Sequence, residues 1–132
     1  MSTAYGFSRK LDMPYEQAVE KATAALKEEG FGVLTEIDVK ATLKKKLDAD
    51  FRRYIILGAC NPPFAYQALQ AELEIGLLLP CNVIVYETED GGSVVSALNP
   101  MAALGVVDNP AMNNVAEQVT AKIKRAVDSL AA

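Results

Sequence analysis

The sequence predicts an α+β fold, a two-layer sandwich in which helices cover one face of a mostly antiparallel sheet. Two long segments, one early and one at the end of the chain, have the apolar spacing of amphipathic helices. Segments between them alternate apolar and polar residues or are rich in branched residues, as strands are. Asp90-Gly-Gly92 separates two of these strands as a hairpin turn, so their pairing is antiparallel. Because each long helix has one apolar face, both should cover the same side of the sheet.

The chain begins with a predicted strand at about residues 4–11. Asp12-Met-Pro14 then signals a helix start, because proline suits the first helical turn. One face of this helix carries Tyr15, Val19, Ala22 and Leu26. Gly30 is a suitable residue to end it.

The next predicted strand covers residues 31–39 and has a period of two. Its apolar face carries Phe31, Val33, Thr35, Ile37 and Val39. A short helix is predicted over 41–47, with Leu43 and Leu47 on its inner side. Another strand follows over 53–60.

The second half of the chain begins with a helix predicted over 61–72, for which Asn61 is a favoured cap. The hairpin strands are 81–89 and 93–99, and residues 100–107 form a loop or a short helix. The last helix begins at Asn109 and Pro110. Its apolar stripe consists of Val115, Val119, Ile123, Ala126 and Leu130.

Length and composition limit the classes of function. A chain of 132 residues has the size of one domain, so we expect residues 1–132 to form a single domain. The net charge of −4 argues against non-specific nucleic-acid binding. No segment has the about 20 apolar residues of a membrane span, and the N-terminus lacks the apolar region of a secretory signal. We therefore expect a soluble, cytoplasmic protein that binds neither nucleic acid nor membranes.

Catalytic chemistry finds little support in the sequence. Without histidine, the chain lacks the usual general base near neutral pH and cannot form a serine–histidine–aspartate triad. Two cysteines without histidine cannot supply the four ligands of a zinc site in one chain. We therefore expect no metal and no other cofactor, and we disfavour an enzyme.

The two cysteines are the chemical lead. Cys60 lies where a strand passes into a helix, and the N–H groups and dipole of a helix start favour the thiolate. Cys81 begins the next long strand, so antiparallel pairing would bring both thiols to one end of the sheet. Two interpretations stay open. Cys60 and Cys81 are a reactive pair, nucleophile and resolving thiol, or both are small apolar residues that fill the core.

An asparagine follows each cysteine. Asn61 and Asn82 could orient a ligand through their side-chain amides. The structural alternatives are a helix cap for Asn61, which we favour, and a turn at the start of the strand for Asn82.

One concentration of basic residues stands out. Counted together with Asp48 and Asp50, these residues carry a net charge of +4. We favour a solvated helix face over an anion-binding site. The residues are Lys40, Lys44, Lys45, Lys46, Arg52 and Arg53.

Several segments share their pattern with one known family. They are Gly58-Ala-Cys-Asn-Pro-Pro63, Ala68-Leu69, Glu74-Ile-Gly-Leu-Leu-Leu-Pro-Cys-Asn-Val83, Phe31-Gly-Val-Leu-Thr-Glu-Ile-Asp-Val39, Ala41-Thr-Leu43 and Asp50-Phe-Arg52. Together they resemble the domain of unknown function 302 (DUF302) family over nearly the whole chain. The resemblance implies a β-α-β-β-β-β-α fold like half of the TATA-binding protein, with the short helices as insertions, and often a homodimer. It implies no activity, because the family has none established.

The sequence therefore predicts a small binding or accessory module that forms a homodimer. Its ligand site, for a small molecule, would consist of Cys60, Asn61, Pro62, Cys81 and Asn82. The alternative is a thiol redox protein or persulfide carrier that uses Cys60 and Cys81 as catalytic residues.

Overall fold

A five-stranded sheet organises the computed structural model, which describes residues 3–130. The strands are β1 (Gly6–Leu11), β2 (Gly32–Asp38), β3 (Tyr54–Cys60), β4 (Cys81–Glu87) and β5 (Ser93–Leu98). Their order across the sheet is β1-β5-β4-β3-β2, and every neighbouring pair is antiparallel. Residues 1–2 and 131–132 of the predicted single domain lie outside the described part. The predicted α+β fold class is confirmed.

Helices connect and cover the strands. They are α1 (Tyr15–Glu28), α2 (Val39–Leu47), α3 (Pro62–Ala71), the 3₁₀ helix (Leu73–Leu78), α4 (Pro100–Leu104) and α5 (Pro110–Asp128). The two long helices, α1 and α5, contact each other and the strands. In contrast, α3 packs chiefly against α5 and the 3₁₀ helix. The β-α-β-β-β-β-α order is confirmed, with the shorter helices inserted; the 3₁₀ helix has no counterpart among the predicted elements.

The core lies between the sheet and its two long helices. The strand register places Leu57 beside Val83, Val83 beside Ala97 and Val85 beside Val95, all on one face. These five side chains are buried. The predicted α5 stripe is buried along its full length, and α1 buries Ala18, Ala22 and Leu26. Burial of these apolar faces against one side of the sheet is what joins the two layers.

The opposite face of the sheet has its own pattern. The register aligns Ile37, Ile56 and Ile84 in one row across β2, β3 and β4. Beside this row, Tyr54 stacks on Tyr86 with ring centroids 5.5 Å apart. Apolar side chains therefore line this face over β2, β3 and β4, whereas the row continues into the hydrogen-bonded pair Ser96 and Ser8 on β5 and β1. Among residues 3–130, no helix is long and apolar enough to cross a membrane.

The predicted single apolar face of residues 31–39 is wrong. Val33 pairs with Ala59 and Thr35 with Gly58, so the register shifts between them. The extra residue is a β-bulge, which reverses the alternation and turns Val33 and Thr35 to opposite faces. Val39 lies outside the strand as the first residue of α2.

The predicted inner side of the short helix is also wrong. Leu47 is 70% exposed, and α2 buries none of its residues. The helix starts at Val39, where the Asp38 side chain accepts a hydrogen bond from the Ala41 backbone N–H. Three lysines occupy its last turn. Their positive charges interact favourably with the helix dipole and favour exposure of this end of the helix to solvent. Local capping and charge, rather than core packing, therefore stabilise α2.

Candidate ligand-binding site

A cavity of about 350 Å³ opens at the corner where β3 ends and β4 begins, under α3. We call it the corner cavity. Its lining is apolar apart from Thr35, Asn61 and the two thiols. The lining residues are Phe31, Leu34, Thr35, Ala59, Cys60, Asn61, Phe64, Ala65, Ala68, Leu69, Gly76, Leu79, Pro80, Cys81, Leu104, Val115 and Val119. This size and lining are typical of small-molecule sites, which range over roughly 300–1,000 Å³.

The position of α3 explains why this corner stays open. The helix follows β3 directly, begins at Pro62, and packs against α5 and the 3₁₀ helix. The residues that it turns towards the cavity include Ala65 and Ala68, which have small side chains. Because α3 does not lie on the sheet, and because two of the four residues that it contributes to the lining are alanines beside Phe64 and Leu69, space remains between the helix and the sheet.

The β2 bulge and Pro80 form another part of the lining, and the Thr35 and Pro80 side chains lie close to Gly58. A Cβ atom at Gly58 would overlap the Thr35 Oγ1 atom and would lie 2.9 Å from the Pro80 Cγ atom. Glycine is therefore needed for the close approach of these two side chains. Leu34, at the bulge, is 67% exposed and lies at the rim of the cavity.

The predicted cysteine pair is wrong. Both cysteines lie in the described part of the chain, and both are free thiols. They do lie at the same end of the sheet, but Cys81 is opposite Ala59 rather than Cys60. Because of this offset of one residue, the two cysteines are not cross-strand partners, and they form no disulfide.

Burial also opposes thiolate formation. It raises the pKa of the Cys60 thiol above its usual 9.0. Burial, with a smaller contribution from the nearby Cys60, raises the pKa of Cys81 to about 11. This direction is opposite to the one that a helix start would give. Both groups are therefore neutral thiols at pH 7.

Asn61 occupies the predicted cap position but does not cap α3 with its side chain. Its Nδ2 atom donates a hydrogen bond to the Glu29 carbonyl oxygen, at 3.2 Å. The first turn of α3 is instead closed by the Ala65 N–H, which donates to the Asn61 carbonyl oxygen. The buried Asn61 side chain thus joins the start of α3 to the end of α1.

The structure brings together three of the five predicted site residues. Cys60, Asn61 and Cys81 line the corner cavity, whereas Pro62 and Asn82 do not. Asn82 is exposed within β4 opposite Gly58, not in a turn at the start of the strand. The polar motifs of the sequence did not indicate the apolar cavity walls. The alanines on one face of α3 were the signal that could have indicated them, since small helical residues leave space.

Four of the six basic residues, Lys40, Lys44, Arg52 and Arg53, form ion pairs or hydrogen bonds within the protein. Lys44 lies 2.9 Å from Asp48 and 3.5 Å from Asp50. The Arg53 guanidinium pairs with Glu16 and Glu87. These exposed pairs agree with a solvated face. Within residues 3–130, no group of three or more acidic or cysteine side chains is arranged to hold a metal ion.

Comparisons with known proteins agree with this architecture. A family model described as "Domain of unknown function DUF302" matches residues 7–130. The chain is also similar to a crystal structure of an uncharacterized conserved protein DUF302 from Bacillus stearothermophilus, with a TM-score of 0.86 and 28% identity. That match covers 96% of this chain and 98% of the other. A search of curated proteins finds no match.

Proposed function

This chain belongs to the DUF302 family, and we propose that it is a binding module that holds a small, uncharged, largely apolar molecule in the corner cavity. The observation that carries the proposal is a cavity of about 350 Å³ with an almost entirely apolar lining. Burial of apolar ligand surface there would supply the binding free energy. Thr35, Asn61 and the thiols would offer a polar group of the ligand its hydrogen bonds.

The charge of the ligand follows from the lining. None of the residues that line the corner cavity is Asp, Glu, Lys or Arg. A charged ligand group would lose its hydration without gaining a counter-ion, which is unfavourable in an apolar site. We do not propose a redox or persulfide role for Cys60 and Cys81, because burial raises both pKa values.

A fluorescence titration with the neutral apolar dye N-phenyl-1-naphthylamine tests the proposal. We expect saturable binding of one dye per chain. The variant Ala68→Leu adds a larger side chain to a wall of the cavity and should weaken binding at least fivefold. The matched control Leu77→Ser removes an exposed apolar side chain that lies outside the cavity lining and should leave binding unchanged.

Two results would contradict the proposal. One is the absence of saturable dye binding by the folded chain. The other is dye binding that Leu77→Ser weakens and Ala68→Leu leaves unchanged, because that would place the dye on the surface beside the 3₁₀ helix.

We also propose that the module is a cytoplasmic homodimer. The support for a second copy is the row Ile37, Ile56 and Ile84 on the sheet face opposite α1 and α5. An apolar face of this kind gains free energy when a second copy covers it. The support for the cytoplasm is that both cysteines are free thiols, which that compartment maintains.

Light scattering after size exclusion tests the dimer. We expect twice the mass of the chain for the wild type. Ile84→Lys places a charge in the isoleucine row and should give the mass of one chain. The control Thr42→Lys, on the exposed surface of α2, should remain dimeric. A wild-type chain that stays monomeric at high concentration would refute the dimer.

A further inference from the structure

The 3₁₀ helix Leu73–Leu78 exposes apolar side chains to an unusual degree. Ile75 is buried and anchors the helix, whereas Leu73 and Leu77 are 82% and 83% exposed. Val106, after α4, is also largely exposed and lines the same groove as Leu77. The groove has a volume of about 320 Å³ and is separate from the corner cavity, with which it shares no lining residue. We call it the 3₁₀ groove.

Carboxylates surround this apolar groove. Its lining includes Glu72, Glu74 and Asp108, and it includes no Lys or Arg. Residues 3–130 provide no ion-pair partner for these three carboxylates. In contrast, exposed carboxylates elsewhere, such as Asp48 and Asp128, do pair with lysines.

The charge distribution along the sequence reinforces this difference. Residues 54–121 contain seven Asp and Glu and no Lys or Arg. This segment makes up about half of the chain, whereas the 13 basic residues all lie on either side of it. The segment that forms the 3₁₀ groove therefore contributes no basic side chain to the surface around the groove.

We propose that the 3₁₀ groove docks a basic amphipathic helix of a partner protein. Apolar side chains of the partner would cover Leu77 and Val106 in the groove and the exposed Leu73, which lies in the chain between the lining residues Glu72 and Glu74. Lys or Arg residues of the partner would pair with Glu72, Glu74 and Asp108. Recognition of an amphipathic helix by an apolar groove is a common mode of binding, and complementary charge at the rim fixes the partner and its orientation. The proposal is independent of the corner cavity and of its ligand.

Charge excludes the two simplest other occupants. A two-fold contact between copies of this chain would bring six carboxylates, Glu72, Glu74 and Asp108 of each copy, into one interface. Like charges brought together in this way oppose association. An anionic lipid surface would meet the same repulsion.

Fluorescence anisotropy with two labelled synthetic peptides tests the proposal. One peptide is an amphipathic helix of leucine and lysine, and the other has glutamate in place of every lysine. We expect the full chain to bind the lysine peptide at least tenfold more tightly than the glutamate peptide. Its affinity should fall as salt is added, because rim charges are screened.

Paired variants locate the contact. Leu73→Ser combined with Leu77→Ser should weaken binding of the lysine peptide at least tenfold. The control Leu47→Ser changes another largely exposed leucine, at the end of α2, and should have no effect. Glu72→Gln with Glu74→Gln should weaken binding and flatten its salt dependence. The control Glu20→Gln with Glu28→Gln removes the same charge from the exposed surface of α1 and should do neither.

Three results would overturn the proposal. The first is equal binding of both peptides, and the second is binding that survives loss of both leucines. The third is self-association or binding to vesicles of phosphatidylcholine that disappears in the Leu73→Ser, Leu77→Ser variant. That result would assign the groove to a second copy or to a lipid surface.

Discussion

The two places where helices meet the sheet differ in how completely they fill space. Between α1, α5 and strands β4 and β5, the remaining space is about 10 Å³, whereas the corner under α3 holds about 350 Å³. Both regions are lined by alanines and branched residues, so composition does not distinguish them. What differs is geometry. The helices α1 and α5 contact the strands, whereas α3 packs chiefly against α5 and the 3₁₀ helix. An apolar lining therefore stabilises the fold in one region and leaves a cavity in the other.

The largest expected effect comes from deleting side chains in each region. Ile123→Ala removes a fully buried side chain from α5 and should lower the free energy of unfolding by about 2–5 kcal/mol. Leu104→Ala, at a wall of the corner cavity, should cost about 2 kcal/mol or less, because that side chain already borders open space. Urea unfolding measures both losses. A larger loss for Leu104→Ala than for Ile123→Ala would contradict the comparison.

Enlarging an alanine should separate the two regions in the opposite way. Ala126→Leu has no space to enter and should destabilise the chain by about 1–3 kcal/mol. Ala68→Leu can enter the corner cavity, so its cost should stay below about 1 kcal/mol. Both alanines are buried in helices, which makes the pair matched. Thermal unfolding followed by circular dichroism distinguishes them, and equal shifts would mean that the corner is as full as the core.

Titration of Cys81 reports how dry the corner is. Burial raises the pKa of this thiol from 9.0 in the unfolded chain to about 11 in the native one. Between these values the unfolded chain releases a proton that the native chain keeps, so stability falls as pH rises from about 9 to about 11. We expect a difference of the order of 1–2 kcal/mol across that window, which Cys81→Ala should remove. Urea unfolding at pH 8 and pH 11 compares the two chains; identical pH dependence would indicate that the corner is wet.

The smallest effect belongs to the hairpin turn, where Asp90 is exposed on the surface. Asp90 accepts hydrogen bonds from Thr88 and from the Gly92 N–H, and it pairs with Lys10. The Thr88 hydrogen bond, followed by the other contacts, lowers the pKa of Asp90 to about 2. The native chain therefore gains stability above about pH 4 that it loses as pH falls towards 2. Asp90→Asn should flatten this part of the acid-unfolding profile, measured by circular dichroism. An unchanged profile would show that the Asp90 carboxylate does not contribute to this stability.

The sequence predicted the filled region better than the open one, for a physical reason. The stripe from Val115 to Ala126 on α5, with Leu130 just after the helix, is buried as predicted, because helical periodicity directly encodes which face meets the core. The corner depends on features without a periodic signal. The bulge between Val33 and Thr35 and the hydrogen bond from Asn61 to Glu29 arise only from tertiary contacts. The same holds for the cysteines, because a one-residue offset in register decides whether Cys60 and Cys81 can pair.

Labelling of one thiol directly tests whether a small apolar molecule binds in the corner cavity. In a Cys81→Ala chain, Cys60 is the remaining thiol, and it lines the corner cavity. We would measure its rate of alkylation by iodoacetamide, using intact mass, with and without saturating N-phenyl-1-naphthylamine. We expect the dye to slow labelling at least fivefold, and we expect the added Ala68→Leu to abolish this protection. An unchanged labelling rate at saturating dye would mean that the dye does not occupy the corner cavity, because a molecule there must cover Cys60.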